Sequence, residues 1–212
     1  MNNEQVTEVA VKLEKKPFLQ TLKQSTTELH LLLESNKLLS EIVLPGISIY
    51  QYGYYLTLMN EITSVYEKEI LPIVIEAIPN VTSRNISQLI LDDLQSIAFK
   101  LPDAIKLTQY TISANISTPF AMGFMYVMEG SKLGGKVIFK NIHKVLGFRE
   151  DFGATYLTDH GVDTFGLWKE FLLNLTKYVT DNDFEEETIL GAKYAFKSIY
   201  DHFEMNYQTN EI

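Results

Sequence analysis

Apolar residues recur along this chain at intervals of three and four, and clean alternation over five or more positions is scarce. That period predicts helices nearly throughout and an all-α fold. Leu19, Leu22, Leu29 and Leu33 form the first stripe, predicting a helix over 18–36 that the Lys16-Pro17 step starts rigidly. Leu44-Pro45-Gly46 breaks the chain. Ser48 then caps a helix over 50–71 with Tyr52, Tyr55, Leu58, Met59 and Ile62 inward, interrupted at Pro72. Pro79-Asn80 ends a short continuation, and helices are predicted over 86–96 and 101–110. Thr118-Pro119 makes an N-cap and first-turn pair for a helix that meets Gly130, Gly134 and Gly135 and resumes through Val145. A loop over 147–161, a helix over 165–179 and a last helix over 183–207, capped by Asp183, complete the pattern. No repeat or composition break divides the chain. The expectation is a flexible segment over 1–17 and one helical domain over 18–208, with a loose tail after Tyr207.

Composition narrows the chemistry. The 18 lysines and arginines against 27 aspartates and glutamates leave a net charge of −9, which repels phosphate and argues against a nucleic-acid partner. With no cysteine there is no disulfide, thiolate nucleophile, iron–sulfur cluster or sulfur-ligated zinc. Any metal is held by nitrogen or oxygen. The polar, mixed-charge start from Met1 to Lys16 lacks the apolar core of a secretion signal, and no stretch reaches the ~18 apolar residues of a membrane span, so a cytoplasmic location is expected.

His30 falls within ~20° of Leu19 around the first helix, at the edge of the apolar stripe. Lys23 and Glu34 project along nearly the same line, so a cation, an imidazole and a carboxylate form a ridge beside the core. An imidazole binding metal through Nε2 can give its Nδ1 proton to Glu34, four residues on, while Lys23 meets an acidic group at a ligand's edge. A histidine hydrogen-bonded at a helix boundary is the plainer alternative. His143, His160 and His202 read as structural residues.

Each glycine inside a helix costs about 1 kcal/mol relative to alanine, so three of them close together need another reason. Gly130 and Gly134, four apart, bare one helix face to a flat surface or permit a kink; a helix–turn–helix connection explains them equally. Gly130, Gly135 and Lys136 also match part of a phosphate-binding loop, but Val137 replaces the required Ser or Thr and the preceding segment is helical where that motif needs a strand. Lys132, Lys136, Lys140 and Lys144 recur every fourth residue as a basic ridge, either a solvated face or a docking surface for an acidic electron donor or for a ligand's carboxylates.

Two segments together resemble a known family. Leu22-Lys23-Gln24-Ser25-Thr26-Thr27-Glu28-Leu29-His30, followed by Leu33-Glu34, resembles the proximal helix of the biliverdin-forming haem oxygenases. Residues 121–135, Ala121-Met122-Gly123-Phe124-Met125-Tyr126-Val127-Met128-Glu129-Gly130-Ser131-Lys132-Leu133-Gly134-Gly135, resemble the distal helix of their bacterial branch. The order and spacing match that family, and the helical layout is compatible over roughly 18–207. The resemblance implies a single-domain multi-helical bundle in which His30 ligates haem iron and Glu34 supports it. Gly130 and Gly134 then form the bare distal backbone, with Ser131 between them and Gly135 beside it. Lys23 and Tyr126 meet the propionates, Thr27 lies next to them, and Phe196 packs against the macrocycle.

Where the animal enzymes carry a distal aspartate, Ser131 stands here, so the proton route would run through water and backbone with Ser131. The implied activity is cleavage of haem, both cofactor and substrate, to biliverdin, carbon monoxide and ferrous iron, dependent on O2 and an external electron donor. A ferredoxin or flavoprotein reductase at the Lys132, Lys136, Lys140 and Lys144 ridge would supply the electrons. The alternative is a haem- or bilin-binding protein that keeps the scaffold without turnover. A di-iron carboxylate protein would need paired Glu-x-x-His segments, and a thiaminase-like enzyme a cysteine; the chain has neither.

Overall fold

The computed structural model describes residues 17–78, 85–158 and 163–208; the expected flexible start over 1–16, Pro79-Asn80, His160 and the end of the tail lie outside them. The described residues are helical with no strand, apart from an isolated bridge of Arg149 to Phe152 and Gly153. The helices are α1 (Phe18–Glu34), α2 (Lys37–Glu41), α3 (Ile49–Val65), α4 (Leu71–Ala77), α5 (Ile86–Ser96), α6 (Thr118–Leu146), α7 (Thr164–Asn182) and α8 (Glu185–Gln208). Among them, no helix is long and apolar enough to cross a membrane.

The core forms around α6, whose first third, from Pro119 to Met125, is buried on every side. Two glycines allow this. A Cβ on Gly123 would lie 1.9 Å from the Thr188 carbonyl oxygen, and one on Gly191 2.1 Å from that of Phe120. The backbones of α6 and α8 therefore touch, and only hydrogen side chains fit between them. α1 lies along the flank of α8, and α3 along α5.

Several predicted boundaries shift, each for a local reason. The α6 N-cap is Ser117, whose hydroxyl accepts from the Phe120 N–H, with Pro119 in the first turn; Thr118 is already helical. Asp183 ends α7 in the left-handed conformation at φ 58°, two residues ahead of the first residue of α8, and the acidic start of α8, Glu185 to Glu187, suits the positive end of its dipole. Pro72 does not stop the second helix. The chain widens into one π-helical turn over Tyr66–Ile70, which accommodates the missing N–H, and continues as α4. From that turn Glu67 reaches across to accept from the Ile86 and Ser87 N–H groups and the Ser87 hydroxyl, so the cap of α5 comes from 19 residues upstream.

The largest departure is 101–110, predicted as helix and found without helical structure. Its backbone groups bond to side chains of other helices: the Thr108 N–H and C=O pair with Asn206, the Tyr110 N–H reaches Glu61 Oε2, and further on the Ser113 N–H reaches the Tyr194 hydroxyl. Those partners replace the intrahelical ladder.

His202 sits inside this polar seam, 5% exposed, with Nε2 3.3 Å from Glu61 Oε2. Burial pushes its pKa from 6.5 down to about 4, so the fold accepts the neutral ring. A lowered value contributes stability that is complete above pH 6.5 and is lost as the pH falls toward 4. The expected result is that unfolding free energy, measured in urea, falls between about pH 7 and about pH 4.5 by roughly 2 kcal/mol more in the natural protein than in His202→Gln. Equal falls would show that the ring is not the titrating group.

Candidate functional site

α1 and α6 provide walls of one cavity of about 710 Å3, within the ~300–1,000 Å3 usual for small-molecule sites. α1 contributes His30, Leu33 and Glu34; α2 and the turn after it add Leu39, Ser40 and Val43; α8 adds Phe196, Ile199 and Phe203. The α6 wall runs from Tyr126 to Ile138. Most of the surface is apolar, and its charged side chains are Glu34, Lys132 and, when protonated, His30.

The His30 side chain is 53% exposed into this space. Its ring meets the Phe196 ring edge-on, with centroids 5.3 Å apart at 87°, which fixes the imidazole from the α8 side. Glu34 Oε1 lies 3.7 Å from Nε2 rather than beside Nδ1 as the sequence suggested. Side-chain rotation is needed to point Nε2 into the cavity with Nδ1 toward Glu34. Lys23 and Thr27 continue the same helix row toward its N-terminus but stay exposed and outside the cavity wall; the Thr27 hydroxyl donates to the Lys23 carbonyl at 2.7 Å.

The glycines neither break nor end α6, which is helical throughout from Thr118 to Leu146. They differ in what occupies the missing side chain's place. A Cβ on Gly135 would stand 3.3 Å from the Leu157 carbonyl oxygen, so that glycine admits the 156–158 turn. One on Gly130 would meet Trp168 at 3.5 Å, an ordinary contact, and one on Gly134 would meet nothing within 4 Å among the described residues. Packing of the described residues therefore gives no reason for glycine at 134. Ser131 also lines the cavity, but its hydroxyl donates to the Met128 carbonyl at 2.7 Å, leaving its oxygen as an acceptor.

Burial raises the Tyr126 pKa, keeping its phenol a proton donor. Lys132 departs from the expected ridge: it lines the cavity and pairs with Glu129 at 2.5 Å, the two side chains only 17% and 16% exposed. Lys136, Lys140 and Lys144 remain exposed. His143 bonds through Nδ1 to the Phe148 carbonyl and takes no part in the cavity.

Sequence reasoning missed Trp168, Tyr55, Tyr156 and Leu157 in the wall. Burial and the neighbouring Tyr156 raise the Tyr55 pKa, and buried Asp93 holds the 155–156 backbone by accepting from both N–H groups at 3.0 and 2.8 Å. Burial raises the Asp93 pKa against those hydrogen bonds. A wall assembled from four separate segments carries no local pattern, although the Phe196, Ile199, Phe203 row at helical spacing was a signal for the α8 face.

A family model described as heme oxygenase matches residues 84–205, which include all of α6 but begin after α1 and His30. A curated relative, the heme oxygenase PigA of Pseudomonas aeruginosa, is 29% identical over 129 residues, 61% of this chain and 63% of that protein. The match thus spans under two thirds of that relative. Among solved structures, the heme oxygenase of Neisseria meningitidis, determined with NO and CO bound, superposes with a TM-score of 0.65 at 25% identity, covering 90% of this chain and 94% of that one. The heme oxygenase of Leptospira interrogans superposes at 0.67 with 16% identity, over 89% and 99% of the two chains, a likeness of fold.

Proposed function

Because the chain belongs to the heme oxygenase family, we propose that it binds haem in the cavity between α1 and α6 and opens the macrocycle oxidatively. The observation that carries this reading is Gly134, a helical glycine with no described residue within 4 Å of where its Cβ would be, on the wall of the cavity that His30 also lines. An apolar cavity of about 710 Å3 with one imidazole and a strip of bare backbone fits a flat metal macrocycle. Bound haem supplies both the iron at which O2 is taken up and the carbon skeleton that is oxidised, with biliverdin, carbon monoxide and ferrous iron as products and electrons from an external donor.

The chain's own part is to bind, orient and shield. His30 presents an imidazole nitrogen to the iron, Phe196 packs edge-on against the ring, and once the side chain rotates the Nδ1–H donates to Glu34. The Tyr126 phenol, held neutral by burial, donates to a propionate, and Lys23 reaches another from outside the wall, with Thr27, whose hydroxyl donates to the Lys23 carbonyl, beside it. Gly130 and Gly134 keep side chains off the distal face, and the Ser131 oxygen accepts from a water there. The apolar α8 row excludes bulk solvent. Lys136, Lys140 and Lys144 form the docking ridge for an acidic ferredoxin or flavoprotein reductase; Lys132, tied to Glu129, drops out of it.

Ser131 favours one second reading. Among the described residues the cavity wall offers no carboxyl group besides Glu34, so a protein that binds haem or a bilin without turning it over is the competitor. Adding haem, ascorbate or ferredoxin, and O2 separates the two: an enzyme loses its Soret band while a bilin absorption grows, and a binding protein keeps the band. No haem uptake at all would end both readings.

Gly134→Ala gives an independent check because its two effects have opposite signs. Alanine removes the helix cost of glycine without a clash, so the haem-free protein gains up to about 1 kcal/mol in urea unfolding. Haem affinity falls in the same variant, as a methyl group now stands in the slot. Unchanged haem affinity would remove Gly134 from the binding surface.

A further inference from the structure

On α6, Tyr126, Gly130 and Gly134 make one row, each step ~6 Å along the axis and drifting only ~40° around it. This row is not uniformly bare. Trp168 of α7 borders its first two members: its ring is tilted at 41° against Tyr126 with centroids 5.5 Å apart, and its Cη2 lies 3.5 Å from the Cβ position of Gly130. Gly134 has nothing within 4 Å among the described residues. The indole edge thus stands at ordinary contact distance from position 130, whereas no described residue stands against position 134.

Trp168 is also held in place. Phe171, itself buried, also packs against it with ring centroids 5.7 Å apart at 31°, and the start of α7 is fixed by Asp163 accepting from the Gly166 N–H. A half-buried indole in contact with two aromatic rings, with its edge in the cavity wall, is a stiff apolar stop. A planar ligand lying on the row has room beside Gly134 and meets the indole edge beside Gly130, with Tyr126 still on the cavity wall within reach of its polar margin.

We propose that Trp168 is a specificity-determining residue: it limits how far the macrocycle slides along α6 and thereby selects which meso edge is presented for oxidation. This rests on the haem-binding reading above. The ring acts by shape alone, since no proton or electron passes through it, and shortening it frees space at the Gly130 end without touching His30 or Gly134.

The test uses the full chain loaded with haem, in the natural form and as Trp168→Phe and Trp168→Ala. Proton NMR of the ferric cyanide complex reports macrocycle seating through the paramagnetically shifted haem methyl resonances, with no turnover required. The expected result is a changed methyl pattern, larger in Trp168→Ala than in Trp168→Phe, with haem affinity within a few-fold of the natural protein. On turnover, the ratio of biliverdin isomers moves several-fold in the same order. A natural methyl pattern and isomer ratio in Trp168→Ala overturn the proposal while leaving haem binding intact. Should that variant fail to fold, the same unchanged pattern in Trp168→Phe, which keeps an aromatic ring against Tyr126 and Phe171, is equally decisive against it. Failure of the natural protein to take up haem is a separate outcome and removes the functional reading itself.

Discussion

Gly123→Ala is expected to destabilise the protein by at least 3 kcal/mol or so, equivalent to a fall of about 10 °C in Tm for a domain of this size. The added methyl would sit 1.9 Å from the Thr188 carbonyl oxygen and 2.6 Å from the Ala192 nitrogen. Both are helix backbone atoms, and no rotamer change removes them. α6 and α8 must move apart by more than an ångström, loosening buried Phe120, Phe124, Ala192 and Ala195 together. Gly191→Ala meets the same obstacle from the opposite helix, 2.1 Å from the Phe120 carbonyl oxygen. Circular dichroism melts and urea titrations measure both. A Tm within two or three degrees of the natural protein would mean the helices do not touch at these glycines. The contrast with Gly134→Ala, a glycine eleven residues further along the same helix, distinguishes a residue that packing requires from one that it does not.

His30→Ala is expected to abolish the absorption spectrum of an imidazole-ligated haem complex and to weaken haem binding at least tenfold, about 1.4 kcal/mol. Haem still enters the apolar cavity, since the Leu33, Phe196, Ile199 and Phe203 surfaces are untouched. The spectrum should therefore be that of haem with a different axial ligand rather than of free haem, and added imidazole should restore the original bands. Of the other described histidines, His143 is engaged with the Phe148 carbonyl and His202 is buried in the seam beside Glu61. Neither lines the cavity. An unaltered spectrum in His30→Ala would exclude His30 as the ligand.

What could be read in the chain beforehand was whatever a single helix encodes. The stripe through Leu22 and Leu29, the Ser48 cap, the Gly130 and Gly134 pair and the His30 position depend on spacing within one element, and those elements formed. Family and fold were legible because their motifs lie on such elements. What escaped was set by distant partners. The stretch over 101–110 has helical spacing, yet Asn206 and Glu61 take its backbone groups. The cap of α5 comes from Glu67, and Lys132 leaves its row for Glu129. Trp168 carried no local sign of its place, because its neighbours Tyr126 and Gly130 lie some forty residues earlier. The five-residue α2, capped by Asn36, was too short to show a period.

The unequal duties of the glycines along α6 also bear on motion. The helix is clamped near its start, where Gly123 presses on α8, and again near its end, where the Asn141 amide donates to the Ile42 and Leu44 carbonyls at 2.9 and 2.8 Å. Between these two anchors lies a span weakened by Gly130, Gly134 and Gly135. A rod supported at both ends bends in the middle, so the compliance of this molecule is concentrated where the cavity is widest open to bare backbone. Under the haem-binding reading, admitting or releasing the macrocycle is expected to bow that span, with both anchors left in place.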